Sequence, residues 1–225
     1  MEADEHEARI LYESLHNNYS EFFRNPLTFV YLEQVIIPRL FESKKKRNEK
    51  EIRVWSAACA AGQEPYSLAI LFDEYTKKRG TQIRYRIFAS DICPHEISLA
   101  EKGIYPSASL DKVTFQRVQD YFTQDGNNFV IDPQMRRNID FSVFDLLSEE
   151  KVCPPSSIFG NFDLIFCSNV LFYYKQEKRK QILEKFSSCR SSDAFLVTGE
   201  AERDILRSGK CREIFVNSGI FQFND

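Results

Sequence analysis

The chain has 225 residues, with 30 lysines and arginines against 33 aspartates and glutamates for a formal net charge of −3. This length suits one α/β domain carrying a small insertion, and neither half is basic enough to suggest a nucleic-acid partner. No apolar run reaches the roughly 20 residues of a membrane span, and the acidic start Met1-Glu2-Ala3-Asp4-Glu5 is unlike a signal peptide, so a cytoplasmic protein without membrane insertion is expected.

Apolar residues at helical spacing predict helices over residues 5–15 and 27–41, separated by the polar stretch Asn18-Tyr19-Ser20-Glu21-Phe22-Phe23-Arg24-Asn25-Pro26. The run Lys44-Lys45-Lys46-Arg47-Asn48-Glu49-Lys50 reads as a solvated linker. Residues 1–50 are thus an N-terminal helical segment and linker, and 51–225 the main domain. A strand over 52–58 leads into a turn of small residues. Pro65 then sits where a helix accepts proline in its first turn, and that helix ends near Gly80. A second strand follows over 84–90, with helices over 94–102 and 110–122.

Asp125-Gly126-Asn127-Asn128 is a turn signal, and short strands over 129–132 and 138–143 suggest a small antiparallel insertion at about 123–144. A buried strand over 162–168, a helix over 175–187, a strand over 194–198 and a hairpin from 212–216 and 220–223 complete the pattern. The six cysteines Cys59, Cys93, Cys153, Cys167, Cys189 and Cys211 include no Cys-x-x-Cys pair, which argues against a zinc site or a disulfide framework. Cys59 and Cys167 stand in apolar strand-like contexts, as small buried hydrophobes would.

The two leading strands and their connecting helix form a βαβ unit. Its turn, Ala57-Ala58-Cys59-Ala60-Ala61-Gly62-Gln63-Glu64, holds one glycine and lacks the Gly-x-Gly-x-x-Gly that brings a pyrophosphate to a helix start, so a dinucleotide is disfavoured. Small residues still admit a ligand without phosphates. Glu64 offers negative charge to a cation such as a sulfonium with its ammonium group, unless it merely complements the helix dipole. Asp91 ends the second strand, where a carboxylate can accept from both ribose hydroxyls; alone it would more often cap the next helix. Asp145 and Leu146 could supply an adenine-edge contact and an apolar wall. Asn169 and Tyr173 follow the strand over 162–168, at the sheet end where open α/β folds bind ligands.

These segments resemble, in order, five motifs of the CheR family of chemotaxis receptor methyltransferases, from about Asn18 to Glu202. Asn18-Tyr19-Ser20-Glu21-Phe22-Phe23-Arg24 resembles Asn-x-Thr-x-Phe-Phe-Arg. Trp55-Ser56-Ala57-Ala58 with Gly62-Gln63-Glu64-Pro65-Tyr66-Ser67 resembles Trp-Ser-Ala-Ala and Gly-Glu-Glu-Pro-Tyr-Ser. Ala89-Ser90-Asp91-Ile92 resembles Ala-Thr-Asp-Ile, Phe166-Cys167-Ser168-Asn169-Val170-Leu171-Phe172-Tyr173 resembles Phe-Cys-Arg-Asn-Val-Leu-Ile-Tyr, and Gly199-Glu200-Ala201-Glu202 resembles Gly-His-Ser-Glu.

The resemblance implies a Rossmann-like class I S-adenosylmethionine-dependent methyltransferase with a small antiparallel β-subdomain. It implies methyl transfer to glutamate carboxylates of a chemoreceptor cytoplasmic domain, or of another protein, with S-adenosylhomocysteine as product. The cofactor residues would be Asn18, Ser20, Arg24, Ala57, Glu64, Asp91, Asp145, Leu146, Ser168 and Asn169, with Arg24 and Tyr173 flanking the reacting groups; no metal is implied, and a monomer is expected. Departures are Gln63, Ser168, Asp145 and Glu200-Ala201. A serine at 168 cannot reproduce the family's planar, always-charged arginine. Only 17 residues precede Asn18, so a divergent member lacking most of the family's N-terminal helical domain is expected. The alternatives are a cofactor-binding signalling module with weak or no turnover, and a methyltransferase with a different acceptor.

Overall fold

Glu51–Ala57 (β1) and Arg84–Asp91 (β2) alternate in burial at their starts and are then wholly buried, as strands covered on both faces must be. A computed structural model, describing residues 20–207 and 211–223, pairs them in parallel from Glu51 with Arg84 to Ala57 with Ser90. The strands that follow are β3 (Ile104–Pro106), β4 (Phe122–Asp125), β5 (Asn128–Ile131), β6 (Ile139–Val143), β7 (Phe162–Phe166), β8 (Arg190–Val197), β9 (Cys211–Glu213) and β10 (Ile220–Phe223).

The main sheet has seven strands in the order β6-β2-β1-β7-β8-β10-β9. β6, β2, β1, β7 and β8 run parallel, while β10 pairs antiparallel with both β8 and β9. The chain moves outward from β1 to β2 and β6, then crosses to β7 on the other side of β1. That reversal opens a crevice at the carboxyl ends of β1 and β7, the position where such sheets bind ligands. The fold is thus the expected α/β class with a parallel core and a separate antiparallel sheet.

Helices cover both faces. The Gln63–Arg79 helix packs Tyr66, Leu68, Ile70, Leu71 and Phe72 into a core shared with Leu32, Ile36 and Phe41. On the opposite face Trp55 meets Phe186 edge to face at 5.1 Å and lies 5.8 Å from Phe144. Gly62 begins the Gln63–Arg79 helix with φ +90°, and a β-carbon there would lie 2.8 Å from Ala100 Cβ. No other residue fits that turn.

Several expectations change. The first described helix starts at Pro26 and continues through a π-helical stretch, Leu32–Ile36, into Ile37–Lys46. The wider turn just ahead of Pro38 accommodates a ring that would otherwise clash with a carbonyl one turn back. The helix therefore runs into the supposed linker. Lys44 is buried, with its ammonium 2.9 Å from Asp163 and paired also with Glu49, because Asp163 would otherwise be a buried unpaired carboxylate. The helix expected over 110–122 shortens to Phe115–Tyr121, capped by the Thr114 hydroxyl, and a 3-10 turn spans Ser107–Leu110.

The insertion expected at about 123–144 also differs. Its sheet is β3-β5-β4, so it recruits Ile104–Pro106, whereas Ile139–Val143 leaves it and pairs in parallel with β2. The free backbone edge of β2 takes that strand, and Arg86 locks it through two hydrogen bonds to Asp140. The helix expected over 5–15 lies outside the described residues. No helix among the described residues is long and apolar enough to cross a membrane.

Candidate functional site

At the carboxyl ends of β1, β2 and β7 lies a cavity of about 580 Å³, within the range of small-molecule sites. Its walls come from elements distant in sequence: the segment before Pro26, the turn after β1, the ends of β2 and β6, and the loop after β7. Only the sheet order brings them together.

The turn after β1 is more constrained than its composition suggests. Ala58 and Ala60 both take left-handed backbone conformations, with φ of 61° and 45°. Each costs on the order of 1–3 kcal/mol for a residue with a β-carbon. The strain is held by bonds across the crevice. Asp91 Oδ2 accepts from the Ala60 amide at 2.9 Å, its Oδ1 accepts from the Cys93 amide at 2.9 Å, and the Cys59 amide donates to Ser90 O at 3.0 Å. Each Asp91 oxygen keeps a further lone pair. Asp91 therefore both caps the chain after β2 and lines the cavity.

Glu64 enters the cavity from the first turn of the Gln63–Arg79 helix, and its Oε1 accepts from the Ser56 hydroxyl at 2.7 Å. Burial pushes its carboxyl up to about 8; the bond from Ser56 resists that, nearby Glu202 adds to it, and the Arg24 guanidinium opposes it. The expected negative charge is therefore largely neutralised by a proton at neutral pH until a cation arrives. The helix start alone does not hold the carboxylate ionised.

The third wall hangs on Glu202, which is fully buried. Its Oε1 accepts from the Leu171 amide at 2.6 Å and the Phe172 amide at 3.4 Å, and its Oε2 from the Asn169 amide at 2.7 Å, the Thr198 hydroxyl at 2.8 Å and the Gly199 amide at 3.0 Å. Asn169, with φ 62°, is thereby fixed in a left-handed conformation. Ser168 Oγ donates to Asn169 Oδ1 at 3.0 Å and accepts from the Asn25 amide group at 3.4 Å. Beyond them Tyr173 is mostly exposed at the rim, its ring 4.2 Å from that of Phe172. Arg179 donates to the carbonyls of Leu171 and Phe172, tying this lip to the following helix.

Of the residues singled out from sequence, Ser20, Arg24, Glu64, Asp91, Asp145, Leu146, Ser168, Asn169 and Tyr173 all line this one cavity. Asp145 Oδ1 accepts from the Leu147 amide at 2.8 Å, a local turn that presents Leu146 inward. Ala57 does not line it: it is fully buried within β1, and Ala58 and Ala60 form the wall instead, because the side chain at 57 points into the core below the strand end. Asn18 lies outside the described residues. Sequence reasoning assigned no role to Ser56 or Glu202. The latter had a signal: an acidic residue three positions after Gly199 can reach back to that amide, as in a capping box.

Comparison with known proteins gives the following. The family model described as "CheR methyltransferase, SAM binding domain" matches residues 18–216. The chemotaxis protein methyltransferase of Borreliella burgdorferi is 31% identical over 193 residues, covering 85% of this chain and 66% of that protein. That of Listeria innocua is 36% identical over 188 residues, covering 83% and 65%, and that of Escherichia coli is 33% identical over 209 residues, covering 90% and 67%. The chain thus spans about two thirds of the length of these relatives.

Proposed function

The chain belongs to the CheR methyltransferase family, and from that membership we propose that it transfers a methyl group from S-adenosylmethionine to glutamate side chains of a chemoreceptor cytoplasmic domain, leaving methyl esters and S-adenosylhomocysteine. The observation that carries this reading is the placement of Glu64, Asp91, Arg24 and Tyr173 around one cavity at the strand ends. Two acidic side chains, Glu64 from the first turn of the Gln63–Arg79 helix and Asp91 from the end of β2, suit a ligand bearing both a cation and vicinal hydroxyls.

S-Adenosylmethionine supplies the electrophilic methyl group when bound. Glu64, steadied by Ser56, holds the ammonium of the methionine moiety, giving up its proton as the cation arrives. Asp91 accepts from the ribose hydroxyls through the lone pairs it does not use on Ala60 and Cys93. Asp145 and Leu146 would face the adenine, while Ser20, Ser168 and Asn169 line the remaining walls. Arg24 and Tyr173 hold the acceptor carboxylate at the rim. With a reference pKa of about 4.3, that carboxylate is already ionised at neutral pH, so the protein needs no strong base. Its contribution is alignment and electrostatic placement of an anion against a cationic donor. The working form in this reading is a cytoplasmic monomer.

One observation favours a second reading, a cofactor-binding signalling module with little turnover. Ser168 stands where the family has arginine, and its hydroxyl is engaged with Asn25 and Asn169. Calorimetric titration with S-adenosylmethionine and S-adenosylhomocysteine tests both. Micromolar binding, weakened at least tenfold in Asp91→Ala, supports the shared cofactor site. No binding at millimolar concentration refutes both readings, and binding with no transfer to any receptor fragment leaves the module.

A further inference from the structure

Cys153 and Cys189 are free thiols, 36 positions apart and outside the cavity. Cys153 lies in the segment between β6 and β7; Cys189 ends the Gln176–Cys189 helix. They close on one point of the backbone at Gly160, where a β-carbon would lie 2.9 Å from Cys189 Cβ and 3.0 Å from Cys153 Sγ. Gly160 has φ +61°, so a glycine here lets the two side chains meet. The geometry points to a modification site: Cys153 and Cys189 form a dithiol that a peroxide converts to an intramolecular disulfide.

The surroundings divide the roles. Cys153 is half-buried beside exposed Val152, whereas Cys189 is buried, its sulfur 3.1 Å from Lys185 O. The neighbouring Cys189 thiol, with the positive charges of Arg53 and Lys185, lowers the Cys153 thiol against the opposing effect of burial. The same contact, then burial, pushes the Cys189 thiol up. Cys153 is therefore the nucleophile and Cys189 the resolving thiol. The Cys153 thiolate attacks one peroxide oxygen, the O–O bond breaks, and the departing hydroxide takes a proton as water, leaving Cys153 as a sulfenic acid. Cys189 sulfur then attacks Cys153 sulfur, the S–O bond breaks, and the departing hydroxide takes the Cys189 proton as a second water. Two thiols lose two electrons and the peroxide gains them.

The bond would fasten a segment that already carries part of the cavity wall. Lys185, one turn before Cys189, donates to the carbonyls of Ser148 and Lys151 at 2.6 and 2.9 Å and lies 5.1 Å from the Phe144 ring centre. Phe144 and the adjoining Asp145, Leu146 and Leu147 line the cavity.

The test is hydrogen peroxide at a small molar excess on the full chain, followed by intact mass, peptide mapping and a thermal melt. The expected product is two hydrogens lighter, yields one linked peptide pair containing Cys153 and Cys189, and melts higher than the reduced protein until a thiol reductant reverses both changes. In Cys189→Ser, a dimedone adduct accumulates on Cys153. A brief iodoacetamide pulse on the untouched wild type, which needs no variant, should label Cys153 ahead of Cys93 and Cys211. Oxidation that joins other cysteines, or that leaves Cys153 and Cys189 unlinked while Cys93 or Cys211 reacts first, overturns the proposal.

Discussion

Replacing Glu64 with glutamine separates its charge from its shape. Burial holds the wild-type carboxyl at about 8 in the ligand-free protein, against 4.5 in an ordinary setting. Because the folded value is raised, this group's contribution to stability is present in full at low pH and is lost as pH rises through about 8. Binding a cation reverses the preference, since the bound state requires the carboxylate. Below about pH 8 each further unit of acidity costs roughly 1.4 kcal/mol of affinity, about tenfold in Kd. The ligand's own ammonium, with a reference pKa of about 7.7–8.0, stays charged below pH 7. S-Adenosylmethionine should therefore bind nearly tenfold more tightly at pH 7 than at pH 6, releasing most of one proton per ligand, with affinity levelling off near pH 8 and falling above it as the ammonium is lost. Titrations in two buffers of different ionisation enthalpy read both quantities. Glu64→Gln should bind more weakly than the wild type at pH 7 and show no pH dependence between pH 6 and pH 7. Methylthioadenosine, which lacks the ammonium, should be indifferent to pH in the wild type. A flat wild-type profile with no proton release would refute the assignment of Glu64 to a cationic group.

Glu202→Ala strands several buried donors at once, including the amides of Asn169, Leu171 and Gly199, and should cost about 4 kcal/mol in urea unfolding; a loss below about 1 kcal/mol would show that the bonds are dispensable. Gly62→Ala combines a positive φ with a 2.8 Å approach to Ala100 Cβ, for an expected loss of about 2–4 kcal/mol by the same measurement. Tyr173→Phe keeps the exposed ring and removes only the hydroxyl, so steady-state assays should find kcat lowered about tenfold or more, while calorimetry finds the Kd of S-adenosylhomocysteine changed by less than about twofold.

The strands and the βαβ unit were legible because their signals are local. Val54, Trp55, Ile87 and Phe88 form continuous apolar runs, and Pro65 and Gly80 mark the helix between them. Pairing is not local, and there the sequence misled: nothing within Ile139–Val143 distinguishes a parallel edge of the main sheet from an antiparallel insertion. Ile104–Pro106 is too short, and ends in a residue too rarely found in strands, to stand out. Lys44 looked solvated because charge runs usually are, yet a buried Asp163 from a strand more than a hundred residues away claims it. At the site, the acidic and rim residues were readable from motif order. The left-handed alanines and the five donors on Glu202 were not, since both arise only once the crevice has closed around them.

Methyl transfer itself is the most direct test. The purified chain is incubated with methyl-labelled S-adenosylmethionine and the cytoplasmic fragment of a chemoreceptor, and label on the fragment is measured before and after brief exposure to base. The expected result is incorporation on glutamate that base releases as methanol, and that Arg24→Ala abolishes. Label that survives base, or no label on the receptor under conditions where calorimetry shows the cofactor bound, would contradict the assignment of a carboxylate acceptor.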